Sequence, residues 1–413
     1  MPAERDFDLV LFGATGFTGG LVAEYLVRNA PAGCRWALAG RSSAKLEAVR
    51  DRLAGIDPAY AEQPLLVADA TDPAALAGLA ARTRVVITTV GPYLLHGEPL
   101  VAACAAAGTD YVDLTGEPEF VDRMYLKYHK QAVASGARLV HACGFDSIPY
   151  DLGVLFTVNQ LPDDVPITVD GFIRVSGTFS GGTLSTLLTA YSRLRPMAQA
   201  AKERRAAEPA APGRSARGGA GRLHRPPAPV LGWAVPFPTI DPQIVARSAA
   251  ALPAYGPDFR YRHHVSVKHL PVVLGGAAGF ALVFAAAQVP PLRSGLSRLR
   301  PPGSGPDERT RERSRFSARF TAEAGGRRIV TEVSGGDPGY GETAKMLSES
   351  ALCLAYDDLP PIAGQLTTAT AMGTALIRRL TRAGLRFAVL APVGGAQGAA
   401  SDSEESEAPR RTA

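Results

Sequence analysis

The sequence predicts an α/β protein: an N-terminal doubly wound parallel sheet, then a second α+β domain containing an antiparallel sheet. Three observations predict it. Strand and helix patterns alternate through residues 7–150 with short connections, the rhythm of successive βαβ crossovers. A glycine triplet stands in the first strand-to-helix turn. After about residue 155 the strands lengthen, and residues 314–334 read as a hairpin. A length of 413 residues suits two to three domains. With 46% hydrophobic and 20% charged residues, a disordered chain is excluded. The expected domains are 1–150, 151–391 and a disordered tail at 392–413.

Each element of the first domain has its own signal. Phe7–Phe12 is an apolar run closed by Gly13, and Phe17, Leu21, Val22, Tyr25 and Leu26 then share one helical face. Trp36–Ala39 is a second strand ended by Gly40, and Ser42 or Ser43 can cap a helix striped by Leu46, Val49 and Leu53. Pro64–Ala68 is a third strand, closed by Asp69 and followed by a short helix at Pro73–Ala81. Arg84–Val90, rich in β-branched residues, stops at Gly91-Pro92. Pro99–Ala107 is helical with Gly108 just past its end. Tyr111–Leu114, a helix at Glu119–Ser135 and a strand at Arg138–Ala142 complete the domain.

In the second domain, Ile167–Ser176 is a longer strand, and Ser180-Gly181-Gly182 leads into a helix at Thr183–Leu194. Residues 202–230, rich in Arg, Ala, Pro and Gly, read as a flexible insertion. Phe259–Lys268 is a strand. In the hairpin, Phe316, Ala318, Phe320 and Ala322 alternate with polar residues, Gly325-Gly326 turns, and Ile329 and Val333 return. Glu342–Ala355 and Thr367–Ala383 are helices that pack back on the first domain, and Arg386–Leu390 is a last strand. No internal repeat is visible.

The glycine triplet carries the most information. Gly13-Ala14-Thr15-Gly16-Phe17-Thr18-Gly19 opens a helix directly after a strand. Gly13 permits the tight turn, Gly16 lets backbone approach a pyrophosphate, and Gly19 allows close helix–strand contact, with the helix N-terminus facing the phosphates. This is the dinucleotide site of a Rossmann domain. An NAD site would place an acid at the end of the second strand. This chain instead reads Ala39-Gly40-Arg41-Ser42-Ser43, with Lys45 one turn on. Arg41 can stack on adenine and pair with a 2′-phosphate while the serines donate to it. NADP(H) is therefore expected ahead of NAD(H); the alternative makes Arg41 a solvated surface charge.

Further candidates stand at the C-terminal ends of strands, where such sheets bind ligands. Asp69 can accept from the adenine edge, and Gly91, Pro92 and Tyr93 follow strand four beside the path of a nicotinamide ribose. Thr115-Gly116-Glu117 and Cys143-Gly144-Phe145-Asp146-Ser147 read equally as ligand contacts or as turns with incidental polar residues. No tyrosine has a lysine four residues later, and no zinc-protease, nucleophile-elbow or Walker lysine motif occurs. The catalytic residue is thus unknown from motifs, with Tyr93, Asp146 and Lys345 as weak candidates. Cys34, Cys104, Cys143 and Cys353 form no C-x-x-C pair, no metal site is expected, and the thiols suit a reducing compartment. The N-terminus lacks a basic and apolar leader, so a cytoplasmic protein is expected.

Val272–Val289 is eighteen residues with Gln288 as its only polar side chain. It reads as a buried or dimer-interface helix, as a helix lying on a membrane surface, or as a span. The net charge of +5 is not diffuse. Residues 202–225 hold seven Lys+Arg against two acids, and residues 293–319 eight Arg against three. Such segments suit an anionic membrane face or an acidic acyl carrier, the alternative being solvated loops. No nucleic-acid motif is present.

The glycine turn, Ala39-Gly-Arg-Ser, Gly91-Pro-Tyr, Gly144-Phe-Asp-Ser-Ile-Pro and Gly336-Asp-Pro-Gly-Tyr together resemble the saccharopine dehydrogenase-like oxidoreductases, nearest the trans-acting enoyl reductases of actinobacterial lipid synthesis. The resemblance runs from about 7 to 391. It implies NADP-dependent reduction of a carbon–carbon double bond in a lipid or polyketide intermediate of glycolipid biosynthesis, with a polyketide synthase or acyl carrier as partner. It also implies a peripheral place on the inner face of the plasma membrane. The cofactor motif carries over onto Gly13, Gly16, Gly19 and Arg41; no catalytic residue does. Two alternatives stand beside it: a non-catalytic NADP-binding scaffold or sensor at a membrane, and a saccharopine-type amino-acid dehydrogenase. A homodimer is compatible with each.

Overall fold

The computed structural model describes residues 5–176, 192–209, 211–288 and 307–393. The first part of the chain lays down β1 (Phe7–Phe12), β2 (Trp36–Gly40), β3 (Leu65–Val67), β4 (Thr83–Thr88), β5 (Asp110–Val112) and β6 (Arg138–Val140). Between them run α1 (Phe17–Asn29), α2 (Ser43–Ala54), α3 (Pro73–Ala81), α4 (Tyr93–His96), α5 (Glu98–Ala107) and α6 (Pro118–Ser135). Sheet A has the order β13-β6-β5-β4-β1-β2-β3, every pairing parallel. Its outermost strand, β13 (Gly364–Leu366), comes from far along the chain. The apolar runs that read as central strands are buried on both faces, as parallel strands between helices must be.

Beyond α7 (Ile148–Val158) the chain builds sheet B from β7 (Ile167–Ser176), β8 (Ser215–Ala220), β9 (Trp233–Pro236), β10 (Asp258–Val267), β11 (Arg315–Ala324), β12 (Arg327–Gly335) and β14 (Arg386–Val393). Its order is β14-β12-β11-β7-β10-β8, with β9 also paired to β10. The hairpin β11–β12 and its neighbours β14 and β7 are antiparallel, but β10 runs parallel to both β7 and β8, so the sheet is mixed. The helices among these strands are α8 (Leu194–Ala207), α9 (Asp241–Ala251), α10 (Leu270–Gln288), α11 (Glu308–Arg313), α12 (Gly341–Tyr356), α13 (Thr368–Ala371) and α14 (Gly373–Arg382).

Every residue of α7 except Phe156 is buried. One continuous apolar core passes from Leu9, Leu11 and Val140 of sheet A through α7 to Val169, Phe259 and Phe320 of sheet B. Gly153 of α7 allows this: an added Cβ would lie 2.4 Å from the Phe320 ring. Helix α12 packs back on α1, β4 and β5, as the late-helix pattern predicts.

Several expectations are corrected. The 202–230 segment carries regular structure where a flexible insertion is read: α8 extends to Ala207, and Ser215–Ala220 pairs with β10. Arg204, 6% exposed, is drawn inward by Asp122 and Glu208, so arginines there are structural ties as well as surface charge. The helix read over 367–383 is two, broken at Met372-Gly373, where Gly373 takes φ +45°. Helix α10 covers the apolar 272–289 stretch up to Gln288, but it is not buried: Val272, Leu274 and Leu282 are 60%, 63% and 73% exposed. Among the described residues no helix is long and apolar enough to cross a membrane. The Ser180-Gly181-Gly182 turn, the helix read from 183 up to 191, residues 293–306 of the second basic segment and the tail from 394 lie outside the described residues.

Candidate active site

The site starts from the turn that joins β1 to α1. Gly13 takes φ +93°, and an added Cβ would lie 2.7 Å from Val90 Cγ2 and 2.8 Å from Thr89 Oγ1. A Cβ on Gly19 would lie 2.1 Å from the Gly13 carbonyl oxygen, so the helix begins directly against the turn. At Gly16 the only atom within 4 Å is that same oxygen, at 3.4 Å, which leaves the backbone open to an approaching ligand. Gly16 is the N-cap of α1, no side chain caps the helix, and its first turn holds no acid. Its N–H groups and positive dipole end are therefore offered to an anion. Ala14 is buried beneath the turn, and Thr15 is exposed on it with Phe17 and Thr18 partly exposed. A pyrophosphate fits these features.

The residues read for the adenosine end stand at the rims of β2 and β3. Arg41 is exposed and makes no hydrogen bond among the described residues. Ser42 caps α2 by accepting from the Lys45 N–H at 3.4 Å, which leaves its own hydroxyl proton to donate. Asp69 accepts from the Thr71 hydroxyl at 2.6 Å and the Thr71 N–H at 2.8 Å. These bonds hold its carboxyl below the usual range, with help from the charges of Arg41 and His96. Arg41 and Asp69 thus face one another where an adenosine with a 2′-phosphate would lie.

The loops after β4, β5 and β6 form the other end. Gly91 and Pro92 lead into α4, whose Tyr93 and Leu94 N–H groups donate to the Glu117 carboxylate at 3.0 and 2.8 Å. Glu117 is thereby a helix cap, not a free ligand. The Tyr93 hydroxyl donates to the Thr88 carbonyl at 3.2 Å and accepts from the Leu114 N–H at 3.1 Å, and burial pushes its pKa far up. It braces the scaffold. Lys345 is held by Glu342 at 2.9 Å, and Glu342 also takes the Gly336 N–H at 3.0 Å. Of the three catalytic candidates, only Asp146 remains open. Its side chain reaches solvent and has no hydrogen-bond partner among the described residues. The protein packed around it limits its solvation and raises its pKa to about 6, although part of the side chain is exposed.

Three residues near Asp146 escape the sequence reading. The Tyr150 ring lies edge-on to Phe145 at 5.7 Å and to His263 at 4.9 Å. His263 and Asp241, both buried, approach to 3.4 Å. A signal existed for Tyr150 and His263, though not for Asp241. Tyr150 stands in the first turn of the helix that follows Asp146, and the outward Arg260 and Arg262 force Tyr261 and His263 onto the inner face of β10. On the other side, Tyr340 meets Phe17 edge-on at 4.8 Å, which ties the Gly336–Tyr340 segment to the glycine turn.

A glycine turn leading from a parallel strand into a helix with no side-chain cap, with Arg41 just past the second strand, is the architecture of an NADP-dependent oxidoreductase. Residues 9–140 match the saccharopine dehydrogenase NADP-binding domain. The fold is that of apo saccharopine dehydrogenase (L-Glu forming) from Saccharomyces cerevisiae: TM-score 0.56, 12% identity, covering 93% of this chain and 100% of that one. A Mycobacterium tuberculosis protein provisionally assigned as a trans-acting enoyl reductase is 43% identical over 410 residues, covering 92% of this chain and 97% of its own. The trans-acting enoyl reductase of Mycobacterium ulcerans is 40% identical over 421 residues, covering 93% and 97%. This chain belongs to the trans-acting enoyl reductase family.

Proposed function

We propose that the protein reduces the carbon–carbon double bond of an α,β-unsaturated acyl thioester during assembly of a lipid or polyketide product, a glycolipid precursor in the reading we favour. NADPH supplies the hydride that adds to the β-carbon. The chain's own residues do the rest. The glycine turn holds the pyrophosphate and Arg41 the 2′-phosphate. Asp146 stands in the cleft to deliver a proton to the α-carbon. The observation that carries this reading is the open Asp146, the one catalytic candidate whose functional group is not already committed to a structural bond.

As the relatives are named for acting in trans, the acyl chain is presented by a separate carrier or polyketide synthase, and an acidic carrier matches the two arginine-rich segments. The exposed apolar face of α10 favours work at the inner face of the plasma membrane.

The test is NADPH oxidation with enoyl thioesters of graded length. Turnover is expected, with no NADP+ reduction by saccharopine-like amino acids. Asp146→Asn should lower kcat by about 10²–10⁴-fold while NADPH affinity is unchanged. Tight NADPH binding without turnover of any enoyl thioester would overturn the reading in favour of a sensor or scaffold.

A further inference from the structure

The glycine turn has a neighbour from the second domain. Helix α11 stands directly before β11, the strand that β12 and β7 flank in sheet B. The buried Ser314 ties down its end, donating its hydroxyl to the Thr310 carbonyl at 2.9 Å. From this anchored turn Arg311 reaches back to the first domain: its guanidinium carbon lies 6.0 Å from the centre of the Phe17 ring. Phe17 is the first residue of α1, so its own N–H is among those offered to an anion. The same ring meets Tyr340 edge-on at 4.8 Å. Among the described residues, Arg311 forms no ion pair and its side chain donates no hydrogen bond, and its Nε is buried without a partner. The acid one turn before it, Asp307, serves instead as the cap of α11, accepting from the Thr310 N–H at 2.9 Å. Arg309 and Arg313 of the same helix are exposed, whereas Arg311 is partly buried.

We propose that Arg311 binds the pyrophosphate of the dinucleotide, so that the cofactor is held by both domains at once. The pyrophosphate is doubly charged, and the turn Gly13–Gly19 contains no Lys or Arg. Helix α1 offers N–H groups and about half a unit of positive charge. The turn therefore meets the hydrogen bonding of a pyrophosphate but leaves most of its charge uncompensated. Arg41 does not supply the rest, because it stands past β2 at the end read for the 2′-phosphate. A guanidinium suits the position: its planar fork bonds two phosphate oxygens while its face stays against an aromatic ring. A buried, unpartnered Nε costs free energy in the empty protein, and a phosphate oxygen that accepts from it removes that cost. Because α11 belongs with sheet B and the turn with sheet A, filling the site ties the two domains together. The inference needs only the NADP cofactor, not the enoyl substrate.

Two measurements test this, and neither needs turnover. The first is cofactor affinity, read by nicotinamide fluorescence. Arg311→Ala should weaken NADPH and NADH alike, by about 10- to 100-fold, the range of one hydrogen bond to a charged group. Adenosine 2′-monophosphate, which lacks the pyrophosphate, should bind Arg311→Ala and wild type equally. Arg41→Ala should show the reverse selectivity, losing NADPH and the 2′-monophosphate but not NADH. Arg311→Lys keeps the charge without the fork and should fall between Arg311→Ala and wild type. The second measurement is hydrogen exchange: NADPH should slow the amides of 308–314 in wild type and not in Arg311→Ala. Unchanged NADPH affinity in Arg311→Ala overturns the proposal, as does the lack of any NADPH-dependent slowing at 308–314. An equal loss of the 2′-monophosphate also overturns it, since Arg311 would then be a support of the fold. If both measurements come out as expected but no enoyl thioester is reduced, Arg311 keeps its role and only the reductase reading falls.

Discussion

The interior where α7 meets α9 and the surface of helix α10 break the usual partition of residues in opposite directions. The interior buries acids: Asp151 and Asp241 are 0% and 2% exposed. Helix α10 exposes Val272, Leu274 and Leu282 and packs only lightly, against β9 and β10. The two departures differ in how they are compensated. Asp151 accepts from the Ser248 hydroxyl at 2.5 Å, the Thr368 hydroxyl at 2.7 Å and the Ala369 N–H at 2.8 Å, so its carboxyl pins α7 to α9 and α13. Nothing among the described residues covers the outer face of α10 in a comparable way. A buried polar group with partners belongs to the architecture. An apolar surface that no described residue covers is a contact face.

This contrast is broken most severely by removing what both sheets share. Phe320 is fully buried on β11 where Gly153 of α7 lets it approach. Phe320→Ala should cost about 3–5 kcal/mol in chemical denaturation, since the close fit of α7 leaves little room to collapse into the cavity. A loss below about 1 kcal/mol would mean that the continuous core does not hold α7 and sheet B together.

The next effect separates a bonded buried acid from an ordinary one. The Asp151 carboxyl titrates near 6 in the folded chain against an ordinary value of 3.8, because burial outweighs its three hydrogen bonds. The folded state thus binds the proton more tightly than the unfolded state. That contribution is complete below about pH 4 and is lost as pH rises to about 6, on the order of 3 kcal/mol in all. Asp151→Asn cannot ionise, so its Tm should vary less between these limits than that of wild type. An unchanged slope would assign the pH dependence to the other raised acids, such as Asp110 and Asp241.

Sheet A was legible because its signals are local. A β-branched run such as Val85-Val86-Ile87 ending at Gly91-Pro92 needs no knowledge of the rest of the chain, and Gly13, Gly16 and Gly19 identify their own turn. Sheet B was legible in the long strands read at Ile167–Ser176, Phe259–Lys268 and Arg386–Leu390 and in the hairpin, where Gly325-Gly326 fixes the register, but not in β8 or β9. Strand β8, Ser-Ala-Arg-Gly-Gly-Ala, has the composition of a loop and is extended because β10 pairs with it. Its Gly218 passes so close to the Pro242 carbonyl, 2.0 Å from an added Cβ, that the glycine which makes it look like a loop is required by packing. Asp146 could be suspected from its place after a strand. That Tyr93 and Lys345 were committed elsewhere could not be seen, because Leu114 and Glu342 reveal their bonds only once the backbone is in place. The Asp241–His263 pair joins α9 to β10, and no local pattern announces it.

The smallest expected effect on stability is the one that bears most on α10. Leu274 and Leu282 point into solvent, so Leu274→Glu and Leu282→Glu should each change unfolding free energy by no more than about 0.5 kcal/mol. Their effect on association should be far larger. Leu223 and Leu231, 50% and 69% exposed, lie in the segment before β9, where Arg225 stacks on Trp233 at 4.9 Å, and Lys268 stands two residues before α10. An apolar face rimmed by cations and an indole is the composition of a helix resting at an anionic lipid surface. The wild-type protein should therefore float with vesicles containing anionic lipid and not with neutral ones, and the double glutamate variant should float with neither. A buried carboxylate at a subunit interface would leave a different mark: the double variant would shift from dimer to monomer in solution without vesicles present. That outcome would assign α10 to a second copy of the chain, and the cationic rim would then have to be explained by the acyl carrier alone.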